Sequence, residues 1–116
     1  MATYSQSTGT FTTSDGASYT GYSGNGEGLN NAAKESEAFV GPIPKGEYTV
    51  SSITSSKGPT TLVLTPAASN KMYGRNDFLI HGDNKKGDNS ASEGCIIVGP
   101  DARKKLKVGD KIVVTK

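Results

Sequence analysis

Glycine and proline cut this chain into short β-prone runs, and that punctuation constrains the fold more than any other feature. The 116 residues include 15 glycines and 5 prolines, and only 33% are apolar. Such a composition favours many turns and argues against long helices. Thr10-Phe11-Thr12-Thr13 and residues 17–22 flank Ser14-Asp15-Gly16, and Asp-Gly between β-prone runs is a hairpin signal, because glycine accepts positive φ. Residues 23–36 read as a polar loop with one helical turn at 32–35. Gly41-Pro42-Ile43-Pro44-Lys45-Gly46 reads as a stiff turn, with φ fixed at both prolines. Strands are expected at 47–53, with Tyr48, Val50 and Ser52 on one face, and at 60–65, bounded by Pro59 and Pro66. The short apolar runs 78–80 and 95–98 are typical of buried strands. Residues 99–106 read as a short helix with Pro100 and Asp101 in its first turn, and 111–115 as a closing strand. About seven short strands and one or two short helices make a mainly β chain. The expected architecture is a compact single-domain β-sandwich or barrel over residues 1–116, opened by a hairpin region within 1–22.

The charge excludes some functions. A net charge of +2 with mixed signs gives no basic stripe for nucleic acid. Lys85-Lys86 and Arg103-Lys104-Lys105 fit a solvated loop and a solvated helix face better than a phosphate site. The first residues have neither a basic n-region nor an apolar h-region, so no signal peptide is expected and synthesis in the cytoplasm is. No apolar run approaches the roughly 20 residues of a membrane-spanning helix. A single cysteine allows no internal disulfide, which suits a reducing compartment.

The chain holds one histidine and one cysteine, His81 and Cys95, fourteen residues apart. A lone cysteine is usually a small buried hydrophobe, and a lone histidine is usually structural. Three local features shift that balance. Gly82 and Gly94 adjoin the two residues and let a backbone or ligand approach closely. Each residue lies where a polar loop meets an apolar run, and the segment between them is long enough to bring those runs side by side. If the two meet, the imidazole can take the thiol proton, the thiolate can attack an acyl carbon, and N–H groups near Gly94 and Cys95 can receive the oxyanion. Metal binding fits poorly, because one His and one Cys cannot complete a four-ligand zinc set and no CxxC or HxxxH spacing occurs. The run Gly24-Asn25-Gly26-Glu27-Gly28 lacks the Gly-Lys-Ser/Thr ending of a phosphate loop. No cofactor is expected.

Ile80-His81-Gly82, a polar loop and Ser92-Glu93-Gly94-Cys95-Ile96 resemble the signature of L,D-transpeptidase (YkuD-type) catalytic domains. Tyr22-Ser23-Gly24-Asn25-Gly26, Asn30-Asn31, Val40-Gly41-Pro42-Ile43-Pro44-Lys45-Gly46-Glu47-Tyr48 and the stretch from Gly74-Arg75 to Ile96 are most similar to the L,D-transpeptidase effectors of bacterial type VI secretion. The resemblance implies a β-rich fold and a cysteine that attacks the L-centre to D-Ala bond of a peptidoglycan tetrapeptide stem. The acyl group then passes to water (carboxypeptidase), to another stem (cross-linking) or to a free D-amino acid (exchange). It makes Cys95 the nucleophile and His81 its base, within a catalytic segment at 78–98. It gives Ser92 and Gly94 the shaping of the nucleophile loop, with Gly82, Arg75, Asp83, Asn84 and Glu93 as orienting or substrate-binding positions. Arg75 or Asp83 would orient the histidine or contact the stem.

Two positions depart from the wider family. Glu93 stands where Ser-His-Gly-Cys carries histidine, and Ile97 where housekeeping enzymes often carry arginine. Both bear on substrate preference rather than on the dyad. The resemblance further implies delivery by an injection machine, action in the periplasm of a target bacterium, a cognate immunity protein and contact with the secretion apparatus. Two other readings stand beside it. One is a cysteine amidase or endopeptidase on wall peptides, although its common folds place cysteine before histidine. The other is a non-enzymatic β-rich adaptor of a secretion or phage-tail apparatus with Cys95 simply buried.

Overall fold

The edges of the β-sheet are joined through a single residue, and this shapes everything else in the molecule. The computed structural model describes all residues except 56, 58, 59, 77, 84–91 and 93. Among the described residues nine strands form one sheet: β1 (Ala2–Ser5), β2 (Thr10–Thr12), β3 (Ser18–Thr20), β4 (Tyr22–Ser23), β5 (Gly46–Thr54), β6 (Thr61–Pro66), β7 (Leu79–His81), β8 (Ile96–Ile97) and β9 (Lys111–Thr115). Their order is β3-β2-β1-β9-β5-β6-β7-β8-β4. The two edge strands, β3 and β4, are consecutive in the chain and separated only by Gly21. The sheet therefore curls into a nearly closed barrel, the mainly β architecture expected from the punctuation.

Gly21 makes that closure possible. Its N–H donates to the Gly9 carbonyl at 2.8 Å. A Cβ at position 21 would lie 1.9 Å from the Ile97 carbonyl oxygen, inside any allowed contact. The run 17–22, expected as one strand, is thus one extended segment that changes partners at its glycine. It pairs with β2 before Gly21 and with β8 after it.

The Asp-Gly hairpin forms as expected. The Thr13 N–H donates to the Ala17 carbonyl, the Gly16 N–H donates to the Thr13 carbonyl, and Gly16 adopts φ +89. The expected helical turn appears as a 3₁₀ turn over Ala32–Lys34, capped by the Asn31 side chain. The helix expected at 99–106 is shorter: α1 spans Pro100–Arg103. Strand β1 was not expected. Its alternation buries Ala2 and Tyr4 and exposes Thr3, and it lies parallel to β9 within the sheet.

The core runs down the barrel interior. Tyr4, Phe11, Tyr48, Val50, Leu62, Ile80, Ile96 and Ile112 are all essentially inaccessible. Ser52 does not continue the face of Tyr48 and Val50 cleanly, because the β5–β6 register shifts between Val50 and Ser52. A β-bulge of this kind adds one residue to one strand and re-aims the side chains beyond it.

Within the stiff turn expected at 41–46, the segment 41–44 is a buried strap. Prolines 42 and 44 carry no N–H, so burying them leaves fewer donors to satisfy. All four strap carbonyls receive side-chain donors from elsewhere. Arg75 serves Gly41 (Nη2, 3.0 Å) and Pro42 (Nη1, 2.8 Å), Gln6 Nε2 serves Ile43 (2.8 Å) and the Tyr48 hydroxyl serves Pro44 (2.7 Å).

Candidate active site

Strands β7 and β8 are parallel neighbours, with Ile80 opposite Ile96 and His81 opposite Ile97. Ile80 and Ile96 point into the core and are fully buried. Alternation then puts Leu79, His81 and Ile97 on the other face. Cys95 immediately precedes β8, so the parallel pairing sets His81, at the end of β7, on the strand beside the one that Cys95 leads into. The 14-residue spacing that looked suggestive in sequence is what a parallel pair requires, since the chain must return to its starting end before β8 begins.

His81 is 5% exposed and Cys95 is only partly buried. That difference suits a base held by packing and a nucleophile that a substrate can reach. The imidazole Nδ1 lies 2.9 Å from the Gly82 carbonyl oxygen. A carbonyl can only accept, so Nδ1 carries the proton and Nε2 keeps its lone pair, the tautomer a general base needs. The orienting group is therefore the main chain of the next residue. Asp83 accepts a hydrogen bond from the Tyr22 hydroxyl at 2.6 Å, which ties the turn after His81 to β4.

Burial pushes the His81 pKa below the ordinary value near 6.5. The Gly82 hydrogen bond and the Asp83 charge act against this, while Lys57 and Arg103 act with it. Arg103 reaches this corner from α1. Its Nε donates to the Val98 carbonyl at 3.0 Å, and its Nη2 would stand 2.9 Å from any Cβ at Gly82. The sign of the pH effect follows. Between the lowered folded pKa and about 6.5, the unfolded chain binds more protons at His81 than the folded one, so this group makes stability rise with pH there. Wild type is expected to lose stability as pH falls through that window, and His81→Gln is expected to lack this component. Urea unfolding of both proteins at pH 5 and pH 7 checks it, and equal losses in the two would refute it.

The turn before β8 is held from within and from behind. Ser92 is fully buried. Its Oγ donates to the Cys95 carbonyl at 2.6 Å and accepts the N–H groups of Gly94 (3.1 Å) and Gly24 (2.9 Å). One donor and two acceptor sites exhaust a hydroxyl. Ser92 is thus a structural hub, and the Gly94 N–H is already committed to it. From behind, Ser23 Oγ donates to the Gly94 carbonyl at 3.0 Å while accepting the Ile43 N–H at 2.9 Å. Asn25 Nδ2 donates to the Ser92 carbonyl at 2.7 Å. Gly94 adopts φ +131, a conformation that side chains strongly disfavour.

Arg75 lies on the nucleophile side of the site. It is 8% exposed, and its guanidinium sits 5.2 Å from the Phe78 ring centroid. Its Nη1 also donates to the Glu35 carbonyl at 2.6 Å. Asn84 and Glu93 lie outside the described residues. Sequence reasoning did not single out Ser23, Asn25 or Arg103 as site residues. The first two lie in the run Tyr22-Ser23-Gly24-Asn25-Gly26, where small polar residues beside glycines were the available signal. Among the described residues no cluster of three or more His, Cys, Asp or Glu side chains could hold a metal ion.

Comparison with known proteins agrees with this fold. The crystal structure of Mycobacterium tuberculosis L,D-transpeptidase 1 is similar in fold, with a TM-score of 0.59 at 20% identity. The alignment covers 99% of this chain and 58% of that one, so the chain spans little over half the length of that enzyme. None of the curated proteins compared with the chain matches it. Residues 17–116 match the family model of the Tlde1 domain. Together with the His-Gly-Asp and Ser-Glu-Gly-Cys segments, that match establishes that the chain belongs to the Tlde1 domain family, the L,D-transpeptidase effectors of type VI secretion.

Proposed function

We propose that the protein is a cysteine acyltransferase acting on peptidoglycan tetrapeptide stems, with L,D-carboxypeptidase activity, D-amino acid exchange activity or both. What supports this reading is the parallel pairing of β7, which ends in His81, with β8, which Cys95 immediately precedes, together with an imidazole held so that Nε2 can accept a proton. His81 Nε2 takes the thiol proton as the Cys95 sulfur attacks the carbonyl carbon of the L-centre. A C–S bond forms and the carbonyl becomes an oxyanion. On collapse the C–N bond to D-Ala breaks, and the imidazolium returns its proton to the departing amine. Water or the amine of a D-amino acid then attacks the thioester and releases the sulfur.

The lowered pKa of His81 supports this cycle, because the base must be neutral at rest. The positive charges of Lys57 and Arg103 near His81 suit a stem that carries carboxylates. Membership of the family supports an antibacterial effector role in a target cell's periplasm, with a cognate immunity protein protecting kin cells.

The deciding experiment is mass spectrometry of tetrapeptide muropeptides incubated with wild type and with Cys95→Ala. Loss of D-Ala, or its replacement by an added D-amino acid, is expected with wild type alone. Cleavage at the lactyl amide or between stem residues two and three would instead identify an amidase or endopeptidase. No change with either protein would favour the adaptor reading.

A further inference from the structure

Arg75 is a buried cation beside this site, and its placement is specific. Its guanidinium fills the gap between the strap and the nucleophile turn. On one side it donates to the carbonyls of Glu35, Gly41 and Pro42. On the other it presses against Gly94, where a Cβ would lie 2.3 Å from Nη2. The Phe78 ring covers it from a third direction. These contacts fix a permanent charge beside the residue that precedes the sulfur, behind the turn and away from the imidazole's Nδ1 partner.

We propose that Arg75 is a positioning residue for the nucleophile: its guanidinium braces the Gly94-Cys95 turn against the strap and stabilises negative charge on the Cys95 sulfur. The proposal rests on reading Cys95 as the nucleophile. The surrounding charges are consistent with it. Burial lowers the Arg75 pKa, and against it act the Glu35 carboxylate and, when ionised, the Tyr48 and Cys95 side chains. The interaction is reciprocal, so the guanidinium favours the thiolate by the same amount. The imidazole stands on the neighbouring strand β7, with Lys57, Arg103 and Asp83 acting on it in turn. The Glu35 carboxylate is engaged elsewhere, by the Lys45 N–H, Gln6 and the Lys45 ammonium. In this arrangement the two basic side chains divide the work: His81 moves the proton, and Arg75 favours the charge left behind.

The test is the pH dependence of Cys95 alkylation by iodoacetamide in the full chain. An ordinary thiol titrates near about 8.5, and wild type is expected to titrate lower. Arg75→Met is expected to raise the midpoint by about one unit or more. Arg75→Lys keeps the charge without the planar fork, so its midpoint should stay near wild type although both variants lose thermal stability. An unchanged midpoint in Arg75→Met, or an equal rise in Arg75→Lys, would overturn the proposal. If Arg75→Met does not fold, the comparison moves to His81→Gln with and without Cys95→Ser, which removes the imidazolium contribution. A thiol with a depressed folded pKa stabilises the fold once pH exceeds that pKa. The Tm gap between the two proteins should therefore open as pH rises from 6 to 9, and a flat gap would count against Arg75. No stem peptide enters either assay, so a wrong substrate assignment would leave this result standing.

Discussion

Gly94→Ala is expected to cost the protein about 3 kcal/mol of stability and to reduce D-Ala release by about 10²-fold or more. Two independent penalties meet at this residue. A φ of +131 is nearly closed to any residue with a Cβ. The new methyl would also sit 2.3 Å from Arg75 Nη2 and 3.0 Å from Phe78 Cε1. Arginine side chains usually yield easily, but this one is tied to three carbonyls and covered by a ring, so the turn must yield instead. Movement there displaces the next residue, Cys95, and a shift of about 1 Å at a reacting atom is enough for such a loss. Urea denaturation and the muropeptide assay measure the two effects separately. Wild-type stability together with wild-type turnover would show that the turn is softer than its contacts imply.

Gly21→Ala is expected to open the barrel at its seam, at a cost of about 2–4 kcal/mol. The obstruction is main chain: the added Cβ would meet the Ile97 carbonyl oxygen at 1.9 Å and the Val98 Cβ at 3.2 Å. Neither can rotate away, so β4 must separate from β8. The separation would release the clamp that Ser23 and Asn25 place on the Ser92–Cys95 turn. Hydrogen exchange is the sharper probe. Protection is expected to fall first at the seam and the Ser92–Cys95 turn, while β5 and β6 keep theirs. Uniform loss of protection would mean that the seam belongs to the global unfolding unit. Unchanged protection would mean that the chain accommodates the methyl without opening.

Much of this was legible in the residues. The Asp15-Gly16 hairpin, β5, β6 and β9 each carry their own turn signals and β-branched runs, so local physics is sufficient. That the runs carrying His81 and leading out of Cys95 lie side by side was legible as a possibility, because the segment between them is long enough to return the chain. Three things were not. Strand β1 has one large apolar residue, Tyr4, and its burial depends on lying beside β9, over a hundred residues away. The change of partner at Gly21 is a property of barrel closure, which no local window contains. Arg75 or Asp83 was expected to orient the histidine or contact the stem, with Gly82 among the orienting or substrate-binding positions; the Nδ1 partner is the main-chain carbonyl of Gly82. Every residue has such a carbonyl, so residue identity gives no hint of it.

The strap over residues 41–44 has a consequence for where this domain can be cut. The family match begins at residue 17, yet the donor to the Ile43 carbonyl is Gln6. A fragment starting at residue 17 would keep His81, Cys95, Ser92 and Arg75. It would also bury an acceptor with nothing to give to it, and strip β9 of its β1 neighbour along the whole Ala2–Ser5 register. The stretch that defines kinship is therefore shorter than the stretch that builds this sheet. Excision at the homology boundary would leave His81 and Cys95 in place on a barrel missing part of its wall.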